Sequence, residues 1–173
     1  MTKNRVFVAS LFVLISALAW AGTGAPPKDE ANATAAFAKM KNLVGQWEAD
    51  TEKGKVTSTY ELVSNGTALV EHVNVAGEGP MVTVYYLDGS RLVLTHYCTA
   101  GNQPRMQAES FDPASNRLSF DFVSASNLAG SGDGHMHSVK VSFQGPDAFI
   151  SDWTFYKDGK AASTVPLQFR RVR

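Results

Sequence analysis

The chain predicts an all-β protein, a ten-stranded up-and-down antiparallel β-barrel with a short N-terminal helix. Three observations carry this. From Gly45 onward, apolar and polar residues alternate with a period of two in short runs. Those runs are separated by hairpin chemistry, including Lys53-Gly54, Asn65-Gly66, Asp88-Gly89, Gly145-Pro146-Asp147 and Asp158-Gly159. No helical run stands between them to serve as the crossover of a parallel sheet. Ten hairpin-linked strands left open would expose two edges and a large apolar face, and closure removes both. Two packed sheets are the alternative, but their crossovers need longer connections than these turns.

The first 21 residues read as an export signal. Lys3 and Arg5 precede an apolar run at 6–19, and Ala19-Trp20-Ala21 has the small-x-small pattern of a cleavage site. Fourteen apolar residues are short for a bilayer, so no stable membrane anchor is expected once the signal is cut, and the address is periplasmic or secreted. Residues 22–31 read as a flexible leader, and 32–173 as the barrel domain. Within it, Ala33, Phe37, Met40 and Val44 recur at helical spacing and predict a short amphipathic helix covering one barrel end. The strands follow at 46–52, 55–64, 67–75, 81–87, 91–99, 105–112, 117–125, 135–144, 148–157 and 160–171.

Charge excludes some functions. The full chain has 16 basic and 16 acidic residues; without Lys3 and Arg5 the basic count is 14 and the net charge −2. With no basic run, a nucleic-acid partner is not expected. Cys98 is the one cysteine, so no intramolecular disulfide can form.

Alternation assigns faces. Leu92, Leu94, His96 and Cys98 share one face of the fifth strand, and His135, His137, Val139, Val141 and Phe143 share one face of the eighth. The ninth sends Phe149, Trp153 and Phe155 the same way. For the fourth strand, a two-residue turn at Asp88-Gly89 aligns Met81 with His96, whereas a bulged turn aligns Val82 with His96 and Tyr86 with Leu92. The bulged register is favoured because it pairs apolar with apolar, and it puts Tyr86 on the interior wall.

His96 with Cys98, and His135 with His137, each project from one strand about 7 Å apart. Should the two strands face each other across a narrow barrel, the four make a nitrogen and sulfur set suited to zinc or copper; haem through one axial histidine is a further possibility. No cofactor is required by the sequence. Hydrogen-bonded core or rim histidines are the competing reading. Arg105 follows the Asn102-Gln103-Pro104 turn, where it could neutralise an anionic ligand head. Catalytic patterns are missing: there is no Gly-x-Ser-x-Gly and no His-Glu-x-x-His. Gly130-Ser131-Gly132-Asp133-Gly134 lacks the Lys and the following helix of a phosphate loop, and reads as a flexible loop. Asp133 beside His135 is a candidate acid/base pair. The expected function is binding of a small, largely apolar molecule in the interior rather than catalysis, through His96, Cys98, Arg105, His135, His137, Tyr86 and Trp153.

Leu43-Val44-Gly45-Gln46-Trp47, a helix running into Gly-x-Trp at the first strand, resembles the opening of lipocalin-like (calycin) barrels. The resemblance implies that Trp47 closes the barrel floor and that Arg170 or Arg171 stacks over it. The ten-strand count and export signal are most similar to uncharacterised bacterial secreted proteins of unknown-function families. Ten-stranded nitrobindin-type haem barrels carry an axial histidine near the chain end, whereas here none follows His137. Fatty-acid-binding barrels close with Arg-x-Tyr, which Arg171-Val172-Arg173 does not reproduce.

Overall fold

The computed structural model describes residues 28–112, 114 and 116–173. The proposed export signal and residues 22–27 lie outside the described residues. One helix, α1 (Lys28–Lys41), precedes ten strands: β1 (Gly45–Thr51), β2 (Gly54–Val63), β3 (Ala68–Val75), β4 (Gly79–Asp88), β5 (Arg91–Tyr97), β6 (Gln103–Asp112), β7 (Arg117–Ser126), β8 (His135–Phe143), β9 (Ala148–Lys157) and β10 (Lys160–Arg171). Each strand pairs antiparallel with its sequence neighbours, and β1 pairs with β10, so the sheet is a closed barrel. The expected architecture is therefore found. No helix among the described residues is long and apolar enough to cross a membrane.

α1 begins at Lys28, so the last four residues of the expected leader are helical. Ala33, Ala36, Phe37 and Met40 form its buried stripe and face β4, β5 and β6. Val44 is exposed; Leu43 takes the buried place, because the chain leaves the helix at Lys41.

Gly-x-Trp closes this end. Trp47 is buried and donates its indole N–H to the Leu43 carbonyl at 2.6 Å. The Arg171 guanidinium lies 4.1 Å from the Trp47 ring centroid and donates to the carbonyls of Val44, Asn42 and Pro146. Of the two arginines the resemblance offered, Arg171 makes the stack; Arg170 points outward and pairs with Asp50. Gly45 sits at φ +124°, and a Cβ there would lie 2.8 Å from the Arg171 guanidinium. No other residue type suits that position.

Above this floor the interior is filled by aromatic rings. Phe149 packs edge-on to Trp47 at 4.8 Å and stacks on Phe169 at 4.8 Å, while Tyr60, Tyr85 and Phe120 continue the cluster. The opposite half of the barrel is less filled. There β1 and β10 part company: their pairing covers Trp47↔Arg171 and Glu48↔Arg170, with Val172 donating to the Gln46 carbonyl beyond. In this register the backbone groups of Arg170, Gln168 and residue 166 turn toward β1, and Pro166 has no N–H to offer there. A proline on an unpaired edge discourages pairing with another chain.

The β4–β5 register differs from the favoured one. Leu87 pairs with Leu92, Tyr85 with Leu94 and Thr83 with His96, around a turn at Gly89-Ser90 with Gly89 at φ +59°. This shift keeps apolar partners together and reverses parity: Tyr85 is buried inside, and Tyr86 is half-buried on the other face.

Candidate functional site

A cavity of about 600 Å³ occupies the end of the barrel away from α1. Its walls are largely apolar, from Val56, Val73, Val75, Met81, Met136, Trp153 and Leu167, and its mouth carries Asp50, Glu52, Lys53 and Glu78. Part of it opens along the seam between β1 and β10, where Thr164, Val165 and Pro166 form the wall.

Two of the polar side chains that line this cavity are buried, Glu71 and His96. They belong to one rung of the sheet. Tyr60 pairs across to Glu71, Glu71 to Thr83, and Thr83 to His96, so β2, β3, β4 and β5 each send one polar group inward at the same height. Glu71 is 4% exposed. Ser58 Oγ donates to its Oε1 at 2.8 Å and Tyr85 Oη to its Oε2 at 3.0 Å. Burial raises its pKa, while hydrogen bonds from Tyr60, Ser58, Tyr85 and Thr83 favour the carboxylate and oppose that rise. Burial, followed by the Glu71 charge, also raises Tyr85 and Tyr60 well above the usual phenol range, so both stay protonated and act as donors.

His96 is 3% exposed, and its Nδ1 lies 2.9 Å from Thr83 Oγ1. Thr83 Oγ1 thus holds the ring through Nδ1, and Nε2 is the nitrogen left toward the rest of the interior. Nε2 is buried and has no hydrogen-bond partner in the protein. Burial pushes the His96 pKa down to about 4, so the ring is neutral at physiological pH. Trp153, 9% exposed, packs against it with ring centroids 4.8 Å apart. Ser151, one inward position along β9 from Trp153, likewise buries a hydroxyl without a partner.

Of the expected site residues, His96 and Trp153 lie on the cavity. Cys98 follows the end of β5, half-buried against the core, and its Sγ accepts from the Ala100 N–H at 3.5 Å. The cavity lining does not include it. His135 and His137 go elsewhere. The β8–β9 register slips between Met136 and Ser138, leaving His137 as a bulged extra residue, so Val139, Val141 and Phe143 are buried but Met136 reaches the cavity. The two imidazoles fill the wedge where β7 and β8 stop pairing beyond Asp121↔Ser138. His137 is sandwiched between Tyr156 at 3.7 Å and Phe122 at 4.9 Å, and His135 Nε2 lies 3.1 Å from His137 Nδ1. Burial, then the neighbouring His135, lower the His137 pKa against the pull of Asp121.

The four-residue metal set is thus not assembled. Among the described residues no three His, Cys, Asp or Glu side chains stand where they could hold a metal ion. His96 is the one histidine on the cavity, so an axial haem ligand would have to be His96 alone. Asp133 is no acid/base partner to His135: its carboxylate accepts from the Ala129 and Gly130 N–H groups, and His135 Nδ1 faces its backbone carbonyl at 2.9 Å. The glycine loop is tied down, with Asp158 N–H donating to Gly132 O and Asn102 Nδ2 to Gly134 O. Arg105 stands on the outer face and pairs with Asp88, because the inward positions of β6 here are Pro104 and Met106. It is not among the residues that line the cavity.

Glu71 was missed by the sequence reading. The signal was available: Leu69, Glu71, Val73 and Val75 share one face of β3, a carboxylate among inward aliphatic residues.

No family model matches the chain, and no curated protein does. Among solved structures, one that it resembles is a protein of unknown function from the DUF3598 family of Nostoc punctiforme. The two are 12% identical, with a TM-score of 0.43, over 77% of this chain and 48% of that one. The chain therefore spans about half the length of that protein.

Proposed function

We propose that this protein is an exported lipocalin-like carrier that binds a small, largely apolar molecule in the open half of its barrel. The observation that carries the reading is the cavity itself. At about 600 Å³ it falls within the range of small-molecule sites. It combines aliphatic walls with one aromatic platform, Trp153, and keeps its charged groups at the mouth apart from the buried Glu71, a composition suited to such a pocket. The interior is also divided in a way that a merely structural barrel does not need, with rings packed at the α1 end and space left at the other.

The test is uptake of an uncharged apolar dye, N-phenyl-1-naphthylamine, followed by its fluorescence. One-to-one binding is expected, weakened at least tenfold by Val73→Trp, which wedges an indole into the cavity. A protein that takes up no dye would have a filled interior, and the carrier reading would be wrong.

A further inference from the structure

We infer that the ligand carries a protonated amine, held with its N–H on His96 Nε2, its charge against the Trp153 ring, and the buried Glu71 carboxylate as counter-charge. This rests on the carrier reading and names the chemistry of what is carried.

Two buried polar groups at the cavity's inner wall can accept from a donor. Glu71 accepts on both carboxyl oxygens, from Ser58 and Tyr85, and His96 Nε2, buried without a protein partner, accepts a ligand N–H in the tautomer that keeps its proton on Nδ1. A buried ring nitrogen with no partner is costly, and a ligand group that pairs with it relieves that cost. An anionic head group would face the Glu71 carboxyl oxygens.

Charge points the same way. Hydroxyl groups solvate Glu71, but no lysine or arginine pairs with it among the described residues. The barrel therefore buries a carboxyl group in its wall with no cation beside it, and its ionised form is expensive there unless a cationic partner arrives. At the mouth Glu78 pairs with Lys53 at 3.8 Å and Asp50 with Lys55 and Arg170 at 3.5 and 3.1 Å, so among these and Glu71 the uncompensated carboxyl group is the one inside. Inside, the Trp153 ring beside His96 offers a face for an ammonium group. The aliphatic walls accept the organic remainder, so the class is a small amine with an apolar or aryl body.

The test uses the whole folded barrel and three ligands of nearly one shape: 2-phenylethylamine, 2-phenylethanol and 3-phenylpropionate, each displacing N-phenyl-1-naphthylamine at pH 7.5. The amine is expected to displace the dye at a concentration at least tenfold below that of the alcohol, with the carboxylate weakest. Glu71→Gln, which keeps the side chain's shape and removes its charge, should lower the amine-to-alcohol preference at least fivefold. An alcohol or carboxylate that matches the amine while the dye still binds overturns the inference and leaves the carrier reading standing. Loss of the preference on neutralising only Asp50, Glu52 and Glu78 would assign the charge to the rim and overturn the role of Glu71. A dye that does not bind wild type at all removes both readings.

Discussion

His96 makes stability depend on pH in a way that can be worked out. Its folded pKa is about 4 against an ordinary 6.5, because the charged ring would sit buried beside Trp153. A histidine whose folded pKa is depressed contributes stability that is complete above the unfolded pKa and is lost as pH falls toward the folded value. The difference of about 2.5 pH units, at about 1.4 kcal/mol each, makes the full effect about 3.5 kcal/mol, of which about 2.5 kcal/mol is gone by pH 4.5. Two other groups titrate nearby. Glu71, with its raised pKa, works in the opposite sense, gaining stability as pH falls through its folded value, and His137 works in the same sense as His96. Both are retained in His96→Phe, so comparing wild type with that variant isolates the one ring. Urea unfolding at pH 7.5 and 4.5 should show wild type losing about 2.5 kcal/mol more than His96→Phe between the two conditions. The lost Thr83 hydrogen bond shifts the variant equally at both. Parallel pH dependences, within about 0.5 kcal/mol, would mean that His96 is hydrated or reoriented and would refute the buried rung.

Other outcomes follow from single contacts. Gly45→Ala forces a side chain into the left-handed region and against the Arg171 guanidinium, so it should cost about 2 kcal/mol or more in thermal unfolding. Replacing His135 and His137 together by Ala removes the stack with Phe122 and Tyr156; it should destabilise the fold by about 1–3 kcal/mol in urea unfolding, with dye affinity within about twofold of wild type. A tenfold loss of dye binding in that variant would return these histidines to the cavity. Protein purified from its source should show neither a Soret band nor stoichiometric zinc or copper by absorption and elemental analysis; a Soret band would make His96 a haem ligand.

Strand number and order were legible because turn chemistry marks each hairpin. Gly89 and Asp158-Gly159 carry positive φ where the sequence says the chain reverses, as does Asn65, whose left-handed φ of 56° serves the β2–β3 turn. Facing was less legible, because one residue of slip inverts it. At β4–β5 the turn moved to Gly89-Ser90, exchanging Tyr85 for Tyr86 in the interior. At β8 a bulge that no sequence pattern announces carried His135 and His137 out of the cavity face. The Glu71 rung lay hidden for a different reason. Its members come from four strands, and only the register brings Tyr60, Glu71, Thr83 and His96 to one height. The parting of β1 from β10 likewise depends on closure, which alternation within strands does not reveal.

A high-resolution crystal structure of the protein isolated from its native source tests the cavity most directly. The expected result is continuous density for a small molecule between Trp153 and the β1–β10 seam, with a nitrogen within hydrogen-bonding distance of His96 Nε2. A cavity closed by Trp153 packed onto Val73 and Leu167, with no room for a ligand, would contradict the account.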